Sequence, residues 1–406
     1  MTAIGAVAPT GSAQTVSMRS LSGNALTRAD AIRLARDAGT WRGVARADTS
    51  AAAAHLVTAG AWANPTVSAS YTKSTPQYHM TLDLPVDYPW VRGTRIRSAR
   101  SALQASRFRY AAEAVRAELN ADTLYTRALA AREHVRLSAH DAAAADSLRR
   151  MTVARRDAGD ASDLDVELAT INAGQQANTA AADSLAYTLA IIDLQTAIGG
   201  ASSTADIEPT DSLVIDPDAD APADTTPTSL LVRAAEASFE SARLAATAEH
   251  HNLFGAPSIT AGFEAHDPSG AERGLLPTVG IAFPLPLFNR NRGPEGEAIA
   301  ERERARAELL QAQIEQRADV DRASRARTNA LAKVTRDRQL VASATRVSAL
   351  SLRAYQEGES SLSAVLEAQR SAREILAQYV DDVATAAIAV SARRALTRTL
   401  DSVLHP

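Results

Sequence analysis

Histidine is the residue type in this chain that first suggests site chemistry, because imidazole is the commonest metal ligand in proteins. His250 and His251 are adjacent in the sequence. Neighbouring helical residues point about 100° apart, so such a pair rarely binds one ion. His134 and His140 also fall on different faces of a helix. No residue with ligand spacing accompanies either pair, and the sequence therefore predicts no metal site.

Motifs of catalysis and of cofactor binding are missing from the sequence. It contains no Gly-x-Ser-x-Gly elbow, no glycine loop that could cradle phosphates, and no two histidines four residues apart with an acid between them. It also contains no cysteine, which excludes disulfides, thiolate metal sites and a cysteine nucleophile. We therefore expect a protein that is not an enzyme and has no catalytic, cofactor-binding or metal-binding residues.

The composition favours long helices over a thick globular core. Aromatic residues make up only 4% of the chain, while Ala, Arg, Glu, Leu and Ser dominate. The net charge of -4 is mild, and no basic patch with interleaved aromatics indicates nucleic-acid binding. The longest apolar runs stay below the roughly 18 residues of a membrane-spanning helix, so the sequence predicts no such helix. The alternating strands of a transmembrane barrel remain compatible with the sequence.

A pattern of helix, two strands and long helical hairpin occurs twice, about 200 residues apart. The first repeat covers residues 24–200, with a helix over 24–61, strands over about 65–87, and a hairpin whose tip lies near Gly159. Its run over 94–158 has neither Gly nor Pro, and apolar residues recur there every seven positions, which is typical of a helix packed along its length.

The second repeat covers residues 229–404, with a helix over 229–252, strands over about 257–287, and a hairpin whose tip lies near Gly358. An Asp- and Pro-rich linker over 201–228 joins the repeats. Residues 1–23 are either the remnant of a signal peptide or a disordered leader.

The strands alternate between apolar and polar residues. In the first pair Val67, Ala69 and Tyr71 share a face, and the face of the second strand carries Tyr78, Met80, Leu82, Leu84 and Val86. Strands of about ten residues cross a bilayer when they are tilted. Four strands alone would leave unpaired edges in hydrocarbon, whereas three copies would supply twelve, enough for a water-filled barrel.

These features together resemble the TolC-type outer-membrane efflux protein family, also called outer membrane factors. The resemblance is carried by the doubled Pro-led strand entry, by the strand exit Phe-Pro-Leu-Pro-Leu-Phe-Asn-Arg-Asn-Arg-Gly over 283–293, and by Tyr-Gln-Glu-Gly-Glu-Ser-Ser-Leu over 355–362. It covers about residues 24–400, and the exit motif and short linker are most similar to the heavy-metal cation branch.

The resemblance implies a fold class and a function. The fold is mainly α with a small β part: a homotrimeric twelve-stranded outer-membrane β-barrel continuous with an α-helical tunnel in the periplasm of a Gram-negative-type envelope. The function is that of a passive exit duct, without cofactor. Its partners are a periplasmic adaptor, an inner-membrane transporter of the resistance-nodulation-division class, and outer-membrane lipid. A duct for drugs or for type I protein secretion is the first alternative, and a coiled-coil rod without a pore is the second.

The resemblance also gives site residues. The helix tips are expected to meet the adaptor, and plain turns are the competing interpretation; these residues are Gly159, Asp160, Ser162, Gly358, Glu359 and Ser361. Acids near the tips would form an entrance ring that favours cations, unless they only solvate the helix ends; these are Asp163, Asp165 and Glu357. Trp62 and Trp90 flank the first strand pair, where a membrane-interface aromatic belt would lie.

Overall fold

The computed structural model describes residues 25–39, 41–74, 76–200, 207–215, 228–252, 254–265, 274–396 and 398. The expected leader over 1–23 lies outside the described residues. So do most of the linker over 201–228, Thr75 of the first strand turn, and most of the loop between the strands of the second pair.

The chain is mainly helical with a small sheet, which confirms this part of the sequence prediction. The first half contains β1 (Ala25–Leu26), α1 (Arg28–Ala38), α2 (Trp41–Gly60), β2 (Thr66–Tyr71), β3 (Tyr78–Pro85), α3 (Pro89–Asp157) and α4 (Asp163–Ala197). The second half contains β4 (Glu208–Pro209), α5 (Leu230–His251), β5 (Ser258–Ala265), β6 (Leu276–Ala282), α6 (Arg292–Gln356) and α7 (Leu362–Ala395).

The prediction of a single helix over residues 24–61 is wrong, because the helix is interrupted after α1. The Trp41 indole donates a hydrogen bond of 2.9 Å back to the carbonyl oxygen of Ala35. A Cβ on Gly39 would lie 2.4 Å from that oxygen and 2.6 Å from the Trp41 ring, so the turn requires a glycine. Helical patterning continues on both sides of the turn, which hides the break from periodicity.

Two further boundaries differ from the sequence prediction. β6 ends at Ala282 instead of continuing toward 287, because Pro284 and Pro286 have no N–H to donate to a ladder. α7 ends at Ala395, where the sequence suggested helix to about residue 403.

The chain forms two compact units, each drawing on both repeats. Unit 1 consists of Met1–Arg42, Val115–Ala223 and Ala323–Ala395, and unit 2 of Gly43–Ala114, Asp224–Arg322 and Leu396–Pro406. The two sequence repeats describe the order of elements along the chain, and their boundaries stay a prediction.

A buried polar anchor organises one core of unit 1. β1 pairs in parallel with β4. The hydroxyl of Tyr125, a residue with no exposed surface, lies 2.9 Å from the carbonyl oxygen of Leu26 and 2.7 Å from Asp211 Oδ2. Burial, followed by the hydrogen bond to Asp211, raises the pKa of Tyr125 to about 12. Small residues of α1, α3 and α4 surround this anchor, including Ala31, Ala35, Ala121 and Ala128.

α7 is the one described helix that is long and apolar enough to cross a membrane by length and composition, with a mean hydropathy of 1.3 in its most apolar window. The search for an apolar run in the sequence missed α7, because the apolar character of this helix is spread over many alanines. Leu362 and Val365 join one core cluster of unit 1, and Val383 and Ala386 join another. We therefore assign α7 as a core helix of unit 1.

In unit 2 the four-stranded sheet has the order β2-β3-β5-β6, with every pair antiparallel. Each pair of strands is preceded by one helix and followed by another. The Arg92 side chain in α3 donates to the carbonyl oxygen of Gly60 at the end of α2. Ser98 Oγ donates a bond of 2.8 Å to the carbonyl oxygen of Ser241 in α5. These contacts join the helices that precede and follow the strands.

Candidate functional site: a two-faced sheet and two helix tips

The central ladder of the sheet joins the two repeats. β3 pairs with β5 over eight positions, with Met80 opposite Phe263 and Leu82 opposite Ala261. Because side chains alternate along a strand, residues in register lie in one row on one face. The ladder therefore aligns the alternating patterns of both repeats.

One face of this sheet is apolar and open. The four apolar side chains that β3 contributes to it are between 42% and 53% exposed. The register places apolar residues of the other strands beside them. The large side chains of this face are Val67, Tyr71, Tyr78, Met80, Leu82, Leu84, Ile259, Phe263, Val279 and Ile281.

The opposite face is polar, and its side chains bind one another across the strands. His79 Nδ1 lies 3.2 Å from Glu264 Oε1, and the Thr260 hydroxyl donates to Asp83 Oδ1. On β3 the polar side chains are half-buried while their apolar neighbours are exposed. A water-soluble antiparallel sheet has the reverse arrangement, since its apolar face packs on a core and its polar face is solvated. The arrangement suits a sheet with hydrocarbon on one side and water on the other.

Both predicted interface tryptophans lie at the end of the sheet where the helices begin. Trp62 precedes β2 and Trp90 lies in the first turn of α3, and they are 60% and 58% exposed. The Arg92 guanidinium lies 4.5 Å from the centre of the Trp62 ring, and the rings of Tyr88 and Trp90 stack at 4.9 Å. Amphipathic rings at a strand end suit a headgroup layer, and their role stays a prediction.

The two helix tips have the same backbone geometry. Gly159 (φ 84°) and Gly358 (φ 82°) adopt the left-handed conformation that favours glycine. The N–H of Gly159 donates to the carbonyl of Arg156, and that of Asp160 donates to the carbonyl of Arg155, at 2.9 and 2.8 Å. In the second tip, Gly358 and Glu359 repeat these two bonds at 3.1 and 2.8 Å. Each tip is thus a Schellman motif that satisfies the last carbonyls of a long helix.

The polar residues of the tips cap the N-termini of the helices that follow. Ser162 and Asp165 form a capping box: the Ser162 hydroxyl accepts from the Asp165 N–H at 3.1 Å, and the Asp165 carboxylate accepts from the Ser162 N–H at 3.1 Å. In the second tip the Ser361 hydroxyl accepts from the N–H of Ala364 at 3.4 Å. The expected tip residues therefore have structural roles, and contact with an adaptor stays a prediction.

The three expected entrance acids have different surroundings. Asp165 is engaged in the capping box, and Glu357 accepts a bond of 2.9 Å from Arg353 one turn earlier. The side chain of Asp163 is 91% exposed and lies 3.8 Å from an Arg156 nitrogen. Of the three carboxylates, that of Asp163 is thus the least engaged with neighbouring groups.

A contact between the two tips was missed by the sequence reasoning. Arg155 Nη1 donates a bond of 2.6 Å to the carbonyl oxygen of Tyr355, and its guanidinium lies 4.7 Å from the centre of the Tyr355 ring. The hydroxyl of Thr152 lies 3.3 Å from that of Tyr355. Leu148 and Leu362 bury the apolar side of the contact. The available signal was Arg155 in the last turn of α3, where a cation can bind helix carbonyls.

His250 and His134 each have an acidic neighbour within hydrogen-bonding distance. His250 Nδ1 lies 2.7 Å from Glu295 Oε1, and His134 Nε2 lies 2.9 Å from Asp381 Oδ1. Within the described ranges, no group of three His, Cys, Asp or Glu side chains comes together as metal ligands would.

Comparison with known proteins gives matches at the level of structure. No protein-family model and no curated protein sequence matches the chain. The outer-membrane channel OprN superimposes with a TM-score of 0.77 at 15% identity, over 92% of this chain and 90% of its own. The CmeC outer-membrane channel of Campylobacter jejuni gives 0.78 at 14% identity, over 91% and 85%.

CusC, a protein whose structures concern folding and transmembrane channel formation, gives a TM-score of 0.77 at 15% identity over 92% of both chains. Each of these similarities covers more than nine-tenths of this chain. At such low identity they establish the fold and leave the role of individual residues open. The chain therefore has the fold of outer-membrane channel subunits.

Proposed function

We propose that this protein is an outer-membrane channel subunit that serves as the passive exit duct of a tripartite efflux system. The observation that carries the proposal is the two-faced sheet. In water, the row that contains Met80 and Leu82 would leave large apolar side chains solvated while polar side chains occupy the sheltered face. In an outer membrane the same row meets hydrocarbon and the polar face meets a water-filled lumen.

The proposal includes a homotrimer. β2 and β6 are the edges of the sheet, and an open edge in hydrocarbon leaves N–H and C=O groups unpaired. Closing the edges with two further copies gives twelve strands, a size that encloses water. The fold shared with known outer-membrane channels supports this assembly.

The helical part is proposed to extend into the periplasm and to end at the two tips. There the adaptor would bind around Gly159 and Gly358, and an inner-membrane transporter would deliver the cargo. Support comes from the paired Schellman turns and from the Arg155–Tyr355 contact, which holds the ends of α3 and α6 together. Separation of these two tips, driven by the adaptor, would open the duct.

Heavy-metal cations are the proposed cargo, and this step rests on the resemblance of the strand exit over 283–293 and of the short linker to that branch. Tight metal binding would hinder a passive duct, because cargo must leave as easily as it enters. An entrance with exposed acids such as Asp163 suits cations without retaining them.

The full chain, exported with a complete signal and purified in detergent, tests the proposal. We expect outer-membrane fractionation, cross-linked trimers and stepwise conductance in planar bilayers. A soluble monomer without conductance would contradict the channel assignment. Deletion of the gene should lower tolerance to zinc, cobalt, cadmium, copper or silver; sensitivity to dyes and detergents alone would refute the metal cargo while leaving the duct intact.

A further inference from the structure

A pair of acids, one of them buried, links the two helices of the second hairpin in unit 1. Asp337 of α6 and Asp382 of α7 lie within hydrogen-bonding reach of each other. The Asp382 side chain is 7% exposed, and its Oδ1 accepts bonds of 2.7 Å from Lys333 Nζ and 3.0 Å from Gln378 Nε2. One oxygen of Asp382 therefore has two donors.

Two of the other oxygens of the pair have no donor. Asp382 Oδ2 and Asp337 Oδ2 are both buried without a hydrogen-bond partner. Two ionised carboxylates accept bonds only, so neither can satisfy the other, and an unpaired buried acceptor loses its hydration without compensation. A single proton on one of them turns this repulsive contact into an O–H···O hydrogen bond.

We propose that Asp337 and Asp382 share one proton and act as a pH-sensitive clasp between α6 and α7. With the proton present, the hydrogen bond holds the helices together. When it leaves, two negative charges face each other, Lys333 and Arg336 offset their repulsion only in part, and the contact weakens. The clasp does not depend on the proposed duct function.

The charges around the pair are asymmetric. For Asp337, loss of hydration is the main cause that raises its pKa, the bond to Asp382 adds to it, and Lys333 and Arg336 oppose it. For Asp382, burial alone would raise the pKa, but the hydrogen bonds from Lys333, Asp337 and Gln378 outweigh it and lower the pKa. The proton therefore belongs on Asp337 and the negative charge on Asp382.

The elements packed near the pair bring apolar side chains of the segment after β4 and an ion pair that involves α3. Leu213 and Ile215 pack against the adjoining cluster with apolar side chains. On α3, His134 binds Asp381, the neighbour of Asp382 in sequence, at 2.9 Å. The experiment must therefore separate this His134–Asp381 contact from the acid pair.

The direction of the pH effect follows from these shifts. Because the folded-state pKa of Asp337 lies above that of an unfolded aspartate, its proton stabilises the fold below that pKa and the contribution is lost as pH rises through it. Asp382, whose pKa is lowered, contributes above the unfolded value and loses this contribution as pH falls through its own pKa. The clasp is closed at pH values between the folded-state pKa of Asp382 and that of Asp337. Each pH unit above the pKa of Asp337 lowers its protonated fraction about tenfold.

Thermal unfolding of the detergent-purified full chain across a pH series tests the clasp. In Asp337→Asn the amide donates to Asp382 at every pH, so this variant should match the wild type at acidic pH and unfold at higher temperature once Asp337 is ionised. Lys333→Gln should move the alkaline loss to higher pH. Asp319→Asn, which changes an exposed acid of α6, should follow the wild type, and so should Asp381→Asn if His134 plays no part.

Infrared spectroscopy supplies a second readout. A protonated-carboxyl band should persist above the usual titration range of aspartate and disappear in Asp337→Asn. Parallel pH profiles of wild type and Asp337→Asn, or an unchanged band, would overturn the proposal. Stabilisation by Mg²⁺ that EDTA reverses, and that Asp337→Asn abolishes, would overturn it in favour of a bound cation.

Discussion

Leu82 and Thr81 are adjacent on β3 but belong to opposite faces of the sheet, which makes them a matched pair for testing the environment of each face. Leu82 is 42% exposed and lies opposite Val67 and Ala261. Thr81 lies in the half-buried polar row beside Gly262. Both positions are in the middle of their strand, so depth and backbone pairing are nearly equal and only the face differs.

Arginine at Leu82 should destabilise the membrane form strongly. A cationic side chain on the lipid face near the bilayer midplane costs about 2–4 kcal/mol per subunit, or about 6–12 kcal/mol for a trimer. Since a folded domain is stable by only about 5–15 kcal/mol, most of the assembled protein should be lost. Arginine at Thr81 points into the proposed lumen, where we expect little change in stability and a change in ion selectivity.

The assay is the amount of heat-modifiable trimer in the outer-membrane fraction, followed by urea unfolding in lipid vesicles. A sheet that faces water would give the opposite order. Leu82→Arg, at an exposed position, would then change stability by no more than about 0.5 kcal/mol, and Thr81→Arg, at a sheltered position, would be the more harmful. That outcome would refute the assignment of the apolar face to lipid.

Two further predictions concern the tips. Arg155→Ala removes the bond to the Tyr355 carbonyl and the stacking on its ring, so we expect a loss of about 2–3 kcal/mol from the contact and a longer open time in single-channel recordings. Arg150→Ala, at an exposed arginine paired within its own helix, should leave gating unchanged. Equal open times for the two variants would contradict a role of the Arg155–Tyr355 contact in gating. Gly159→Ala, at φ 84°, should lower the free energy of unfolding by about 1–2 kcal/mol and weaken adaptor capture. The control Gly174→Ala, in the open interior of α4, should raise it by up to about 1 kcal/mol. A destabilised Gly174→Ala with an unaffected Gly159→Ala would contradict the turn assignment.

Local patterns predicted most of the secondary structure. The period-two alternation from Tyr78 predicted the strand and its two faces, and the absence of Gly and Pro predicted the long helices that α3 and α6 form. The break at Gly39 depends on a tertiary contact of the Trp41 indole, and helical periodicity contains no trace of it.

Contacts between distant residues could not be predicted in the same way. Arg155 and Tyr355 are 200 residues apart, and the pairing of β3 with β5 brings the two repeats together across a similar separation. Each depends on how the helices pack, which alternation and periodicity do not encode. The acid pair of Asp337 and Asp382 was hidden for a related reason, since both residues look like ordinary surface acids until α6 and α7 pack.

Spin labels along β3 test the central claim most directly. The chain has no cysteine, so a single cysteine introduced at each position from 79 to 84 carries the only label. In reconstituted vesicles, labels at 80, 82 and 84 should be relaxed by oxygen dissolved in lipid and shielded from a water-soluble nickel reagent, and labels at 79, 81 and 83 should show the reverse. Equal access of the nickel reagent to both sets would contradict the placement of this sheet in a membrane wall.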